Sequence, residues 1–126
     1  MSQTQRFAFA AVTAPETAAA AAGRDILALG GHALEACVAM AACLALTRPD
    51  QAGLGADAIW LLRAPGGKIH VIDAIGTTGK AISGAATRKA GYDQMPKRGL
   101  AGALSVPGQV AGWMLALDMA RAFGGQ

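Results

Sequence analysis

Residues 24–49 read RDILALGGHALEACVAMAACLALTRP, and residues 53–74 read GLGADAIWLLRAPGGKIHVIDA. The first stretch holds two helical patterns separated by a glycine pair. Ala18, Ala22, Ile26 and Leu29 recur at helical spacing, and Gly30-Gly31 supplies the stop. A second helix is predicted from Ala33 to Thr47, apolar on almost every side and ended by Arg48-Pro49. In the second stretch, Ala58 to Leu62 and Ile69 to Ile72 are short apolar runs on either side of the turn Pro65-Gly66-Gly67-Lys68. Such spacing predicts an antiparallel hairpin. With little polar alternation, its sheet is expected to be covered on both faces. A helical hairpin followed by a β-hairpin places the chain in the α+β class.

Outward from this centre the signals weaken. Phe7 to Val12 is readable as an opening strand, with Thr13, Pro15 and Glu16 forming a helix start behind it. Beyond Asp73 the chain is rich in Gly, Thr and Ser, with one helical turn expected around Ala85 to Gly91. Order returns at Leu104 to Gly108. Pro107 opens a last helix with Val110, Met114, Leu117 and Ala120 on its apolar side, Trp113 beside them, and Gly124-Gly125 after it. The order β-α-α-β-β-loop-α leaves the second sheet face and the last helix without partners. Residues 1–126 are therefore expected to form a single incomplete domain.

Composition supports that expectation. The 126 residues are 53% hydrophobic and only 15% charged, against about 25% in ordinary domains, so part of the surface is suited to burial. Aromatic residues make up 5% while glycine alone numbers 17, which points to helices in close contact and not to a core of bulky rings. A net charge of +3 is a weak field. Its densest patches, Arg88-Lys89 and Lys97-Arg98, lie on either side of Gly91, Tyr92 and Pro96 and read as solvated loop charge, so no nucleic-acid partner is expected. The apolar run from Ala33 to Leu46 contains Glu35 and is too short for a bilayer, which needs about 20 residues, so no membrane partner is expected either. Cys37 and Cys43, six residues apart, point about 120° from each other on a helix and cannot pair together. They read as small hydrophobes in a reducing compartment, and the expected location is cytoplasmic.

Local chemistry yields no assembled catalytic site. Residues 74–81, AIGTTGKA, approach a phosphate-binding loop but carry Ala74 in place of the first glycine and Ala81 in place of the hydroxyl. Gly53-Leu54-Gly55 precedes a strand and not a helix, which argues against a dinucleotide fingerprint. His32 and His70 have no acidic or thiol neighbour at a ligand-like spacing and read as structural. Ser83 and Ser105 are isolated. No metal and no cofactor are expected.

The succession of elements nevertheless resembles the gamma-glutamyltranspeptidase family. Residues 18–62, AAAAAGRDILALGGHALEACVAMAACLALTRPDQAGLGADAIWLL, are similar to its opening: a helix ending in LxxGGxA, an Ala-rich helix, a proline, and a Gly-rich link into a strand. Residues 102–117, GALSVPGQVAGWMLAL, are similar to a later VPGxVxG helix of the family. The resemblance runs from about Ala11 to Gly125.

It implies the N-terminal part of the large subunit of an N-terminal-nucleophile hydrolase, an αββα sandwich that cuts its own chain. Its partners would be the remainder of the large subunit and a small subunit whose N-terminal threonine is the nucleophile, with a small amide as substrate. None of the catalytic residues would lie in these 126 residues. The implied alternatives are a noncatalytic structural subunit of such an assembly and an unrelated stand-alone α/β binding module.

The family's DGRETAP segment, whose arginine binds the α-carboxylate of a glutamyl group, corresponds here to Asp73-Ala74-Ile75-Gly76-Thr77-Thr78-Gly79. Ile75 stands where the arginine would be, and losing a charge-assisted pair in a closed site costs ~2–5 kcal/mol. The DAxGxxG form, followed by MPxRGxxxALSVPG, is more similar to the branch containing oxamate amidohydrolase. This resemblance makes Ile75 and Gly76 substrate-facing, with Arg98 or Lys97 holding an acidic substrate; the plain reading of those two cations remains solvated loop charge. Residues 1–126 expressed alone should lack a cooperative, monomeric melting transition. Such a transition in calorimetry would favour the stand-alone module instead.

Overall fold

The computed structural model describes residues 9–80, 82–102 and 105–125. Its elements are α1 (Thr17–Ala28), α2 (Ala33–Thr47), α3 (Pro49–Ala52), β1 (Ala58–Arg63), β2 (Ile69–Ala74), α4 (Gly84–Lys89), a 3₁₀ turn (Leu100–Gly102) and α5 (Gln109–Ala122). The α+β class expected from sequence is the observed one.

The helical hairpin closes as its glycines suggest. Gly30 adopts φ +84° and donates its N–H to the Leu27 carbonyl, while Gly31 donates to Ile26. This pair of bonds is a Schellman closure, which uses carbonyls that the end of a helix leaves free. The next helix begins with a reciprocal cap. His32 Nδ1 accepts from the Leu34 N–H at 3.2 Å, and the Glu35 carboxylate accepts from the His32 N–H.

At the opposite end, α1 begins at Thr17, later than the Thr13 cap the sequence suggested. Glu16 is the N-cap residue, but its side chain makes no cap bond and accepts from Arg48 Nη1 at 3.0 Å. Half-exposed, that ion pair adds at most ~1 kcal/mol. It does join the start of α1 to the end of α2.

Along the hairpin, contact is made through small residues. Ala19 and Gly23 are the buried positions of α1, displaced by one from the Ala18–Ala22 line read from sequence. The Met40 side chain packs over Gly23, where a methyl group would meet its Cγ at 2.7 Å and make it move.

Register in the β-hairpin runs Ala58↔Ala74, Trp60↔Ile72 and Leu62↔His70. Its turn places Gly66 at φ +82°, and the Gly67 N–H reaches the Ala64 carbonyl at 2.9 Å. That is a type II turn with proline and glycine in their favoured places. Leu62, Ile72 and Ala74 face inward and form a core with Leu34 of α2 and Ala116 and Ala120 of α5.

Among the described residues only this inner face is covered. Leu61 is 75% exposed and Val71 61%, with Ile59 and Ile69 also bare beside them. The continuous apolar pattern is thus read correctly, while cover on both faces is not met by these residues. No partner strand is seen for residues 9–12, which lie outside any strand; Phe7 and Ala8 fall outside the described residues.

The last helix turns a different side inward from the one its large apolar residues suggest. Gln109, Gly112, Ala116 and Ala120 are buried, whereas Val110 and Met114 are exposed and Trp113 and Leu117 are half-buried. Space decides this: a Cβ on Gly112 would lie 2.9 Å from Ala74 Cβ and 3.1 Å from Trp60 Nε1, so nothing bulky fits against the sheet there. Replacing Gly112 by Val should cost roughly 2 kcal/mol through overpacking, whereas Val110→Ala should change stability by less than about 0.5 kcal/mol. Urea unfolding of both variants, in the assembled protein, checks the contrast.

Candidate functional site

The segment after β2 is where the sequence places Ile75 and Gly76. Asp73, the penultimate residue of β2, turns its carboxylate along the chain, with Oδ1 accepting from the Ile75 N–H at 3.0 Å. The Gly76 N–H donates to Asp57 Oδ1 at 2.8 Å, bridging 19 residues of sequence. Two neighbouring amides are therefore held by two different carboxylates.

Farther along, the Val106 N–H donates to the Thr77 carbonyl at 2.9 Å, and Thr78 forms an isolated antiparallel bridge with Ser105. The Val106 carbonyl lies directly over the Gly76 α-carbon, and the Ala74 carbonyl over that of Gly108. A side chain at either glycine would collide with backbone, so both are close-approach positions.

The other wall is the loop that leads into β1. Gln109, the first residue of α5, donates its backbone N–H to the Ala56 carbonyl at 3.1 Å and its Nε2 to the Ala52 carbonyl at 3.0 Å. As the buried polar residue at this helix start, it ties loop 53–57 to α5. Segments 53–57, 73–79 and 105–109 are thereby knit into one surface by backbone hydrogen bonds. Ile75 to Thr78 are committed to this pairing; Ala81, the last position of the phosphate-loop comparison, lies outside the described residues, as does Leu104.

Ile75 is half-exposed on that surface and lines a shallow cleft of about 390 Å³ with Asp57, Ala58 and Ile59. Gly76 sits beside it, half-buried. Lys97 and Arg98 are exposed in the segment between α4 and the 3₁₀ turn, and neither lines the cleft. The structure thus brings Ile75 and Gly76 together and leaves Arg98 apart from them. Asp57 and Gln109 are the residues that reading the sequence missed. Each looks like an ordinary loop or helix-start residue, and its partner lies 19 or more residues away.

The remaining candidates have structural roles. His32 caps α2, and its ring lies 6.3 Å from that of Phe123, with His70 5.9 Å from Phe123 on the strand side. Ser83 Oγ caps α4 by accepting from the Ala86 N–H at 3.1 Å. Cys37 and Cys43 are free and half-buried, and burial pushes the Cys37 thiol up, which lowers its thiolate fraction and its reactivity. No group of three or more His, Cys, Asp or Glu among the described residues is placed to hold a metal ion. No helix among them is long and apolar enough to cross a membrane.

Comparison with known proteins bears on the family and the fold. The sequence model of the gamma-glutamyltranspeptidase family matches residues 19–124. The chain is 42% identical over 108 residues to the oxamate amidohydrolase proenzyme of Klebsiella pneumoniae, covering 86% of this chain and 20% of that protein. It is 38% identical over 103 residues to a glutathione hydrolase-like proenzyme of Bacillus subtilis, covering 81% of this chain and 19% of that one. The gamma-glutamyltranspeptidase of Pseudomonas nitroreducens, solved with L-DON, superposes with a TM-score of 0.79 at 29% identity, over 90% of this chain and 34% of that one. The chain therefore spans about a fifth of the length of the curated relatives it matches. With the family match covering the helical hairpin, the β-hairpin, the 73–79 loop and α5, the chain belongs to the gamma-glutamyltranspeptidase family.

Proposed function

We propose that residues 1–126 are an incomplete domain from the N-terminal part of the large subunit of an amide-cleaving enzyme of this family. The rest of the large subunit and a small subunit carrying an N-terminal threonine complete it. The threonine hydroxyl attacks the amide carbonyl and its own α-amine takes the proton. Backbone amides hold the oxyanion while the C–N bond breaks and the nitrogen leaves protonated. Water then releases the acyl group and restores the hydroxyl. This chain supplies a wall of the substrate site and no reacting group.

The exposed aliphatic row Ile59, Leu61, Ile69 and Val71 supports the subunit reading. Burying such side chains is worth ~1.5–3 kcal/mol each, which favours a further layer over this side of the sheet.

Ile75 carries the substrate reading. It takes the place of the arginine expected from the family pattern, and an aliphatic side chain makes no paired contact with an α-carboxylate. A substrate smaller than a glutamyl group fits this position, and the oxamate amidohydrolase among the relatives names a suitable test compound. Ile75 and Gly76 are then substrate-facing. Arg98, outside the cleft, contributes charge toward an acidic amide only if segment 97–102 folds over it in the complete enzyme.

The assembled enzyme should release ammonia from oxamate. Its turnover of γ-glutamyl anilides should be lower than that of an arginine-bearing transpeptidase by roughly 30-fold or more. Ile75→Arg alone should not restore it, because the amides of residues 75 and 76 remain held by Asp73 and Asp57. Anilide turnover at a transpeptidase's level, or a robust gain from that one change, would overturn the substrate assignment.

A further inference from the structure

The two carboxylates that hold the 75–76 amides do different work. The Asp73 bond to the Ile75 N–H is local, reaching two residues along the same turn, and shapes that turn without locating it. The Asp57 bond to the Gly76 N–H carries the β1–β2 pairing, whose end pair is Ala58↔Ala74, into the loop and ties the turn to the start of β1.

Asp57 is itself well anchored. Its neighbour Ala56 accepts from the Gln109 N–H, and Gln109 also reaches Ala52 with its side chain. Gly76 cannot find a substitute contact through a side chain, since the Val106 carbonyl occupies that space. Asp57 also lines the cleft beside Ile75.

We propose that Asp57 is a positioning residue, which fixes the 75–76 turn through the Gly76 amide and thereby sets the substrate fit beside Ile75. This inference rests on the reading that the 73–79 loop faces substrate. What matters is an acceptor oxygen at this place, more than a negative charge. Asn retains such an oxygen and Ala does not.

The test compares Asp57→Ala and Asp57→Asn in the assembled enzyme, with oxamate as the substrate. For Asp57→Ala, kcat/KM should fall about tenfold or more, the size expected for one amide–carboxylate bond, with most of the change in KM. Asp57→Asn should remain within about threefold of the unchanged protein. Hydrogen exchange followed by mass spectrometry should show faster exchange in the peptide spanning residues 74–80 of Asp57→Ala, with residues 59–63 of β1 unchanged.

An unaltered KM in Asp57→Ala would overturn the proposal. So would an Asn variant as impaired as the Ala variant, or equal loss of protection in loop and strand. Failure of the unchanged enzyme to act on oxamate would instead sink the substrate reading. The exchange comparison would still show whether Asp57 holds the turn, and unchanged exchange at 74–80 would refute that.

Discussion

Backbones in this chain meet through alanine and glycine, and that closeness governs the rest of the architecture. Ala19 and Gly23 of α1 lie against α2, where Ala36 is fully buried. Gly112, Ala116 and Ala120 of α5 form the corresponding inward stripe toward the hairpin. No large side chain among the described residues is completely buried. The fold therefore relies on short distances between helix and sheet axes, where a single added methyl or propyl group has no empty volume to enter. On α1 and α5 the inward positions are held mainly by small residues, and Val110, Met114 and Leu115 lie on the outward side of α5.

The same economy of space builds the loop surface. Gly76 and Gly108 let carbonyl groups pass over their α-carbons, so segments 73–79 and 105–109 can lie close enough for Val106 to bond Thr77. Hydrogen bonds from Gln109 then fasten loop 53–57 to the start of α5. Asp57 and Asp73 hold successive amides beside Ile75. A surface of irregular backbone has few internal bonds to keep its shape, and here the bonds come from residues on three separate stretches.

Legibility in the sequence followed the range of the interaction. The glycine pair at 30–31, the Arg48-Pro49 stop and the Pro-Gly turn at 65–66 act within a few residues, and the elements they bound lie where expected. The start of α1 did not, because Glu16 is drawn to Arg48 across 32 residues and Thr13 does not serve as the cap. The inward side of α5 was read correctly at Ala120 but not at Val110 or Met114, for a related reason. Hydrophobicity favours Val110 and Met114, but proximity to Trp60 and Ala74 selects Gly112. At the candidate site the family pattern directs attention to Ile75 and Gly76, while Asp57 gives no local signal, since its carboxylate meets the Gly76 N–H only once the β-hairpin closes.

By itself the sequence determined the α+β class, the helical and β-hairpins and the family. These follow from residue chemistry at short range and from ordered motifs along the chain. Tertiary structure alone decided which helix faces turn inward, which side of the sheet is bare, and that Asp57 and Gln109 brace the loop while Arg98 stands apart. Those outcomes depend on distances between segments remote in sequence, and no local propensity encodes a distance.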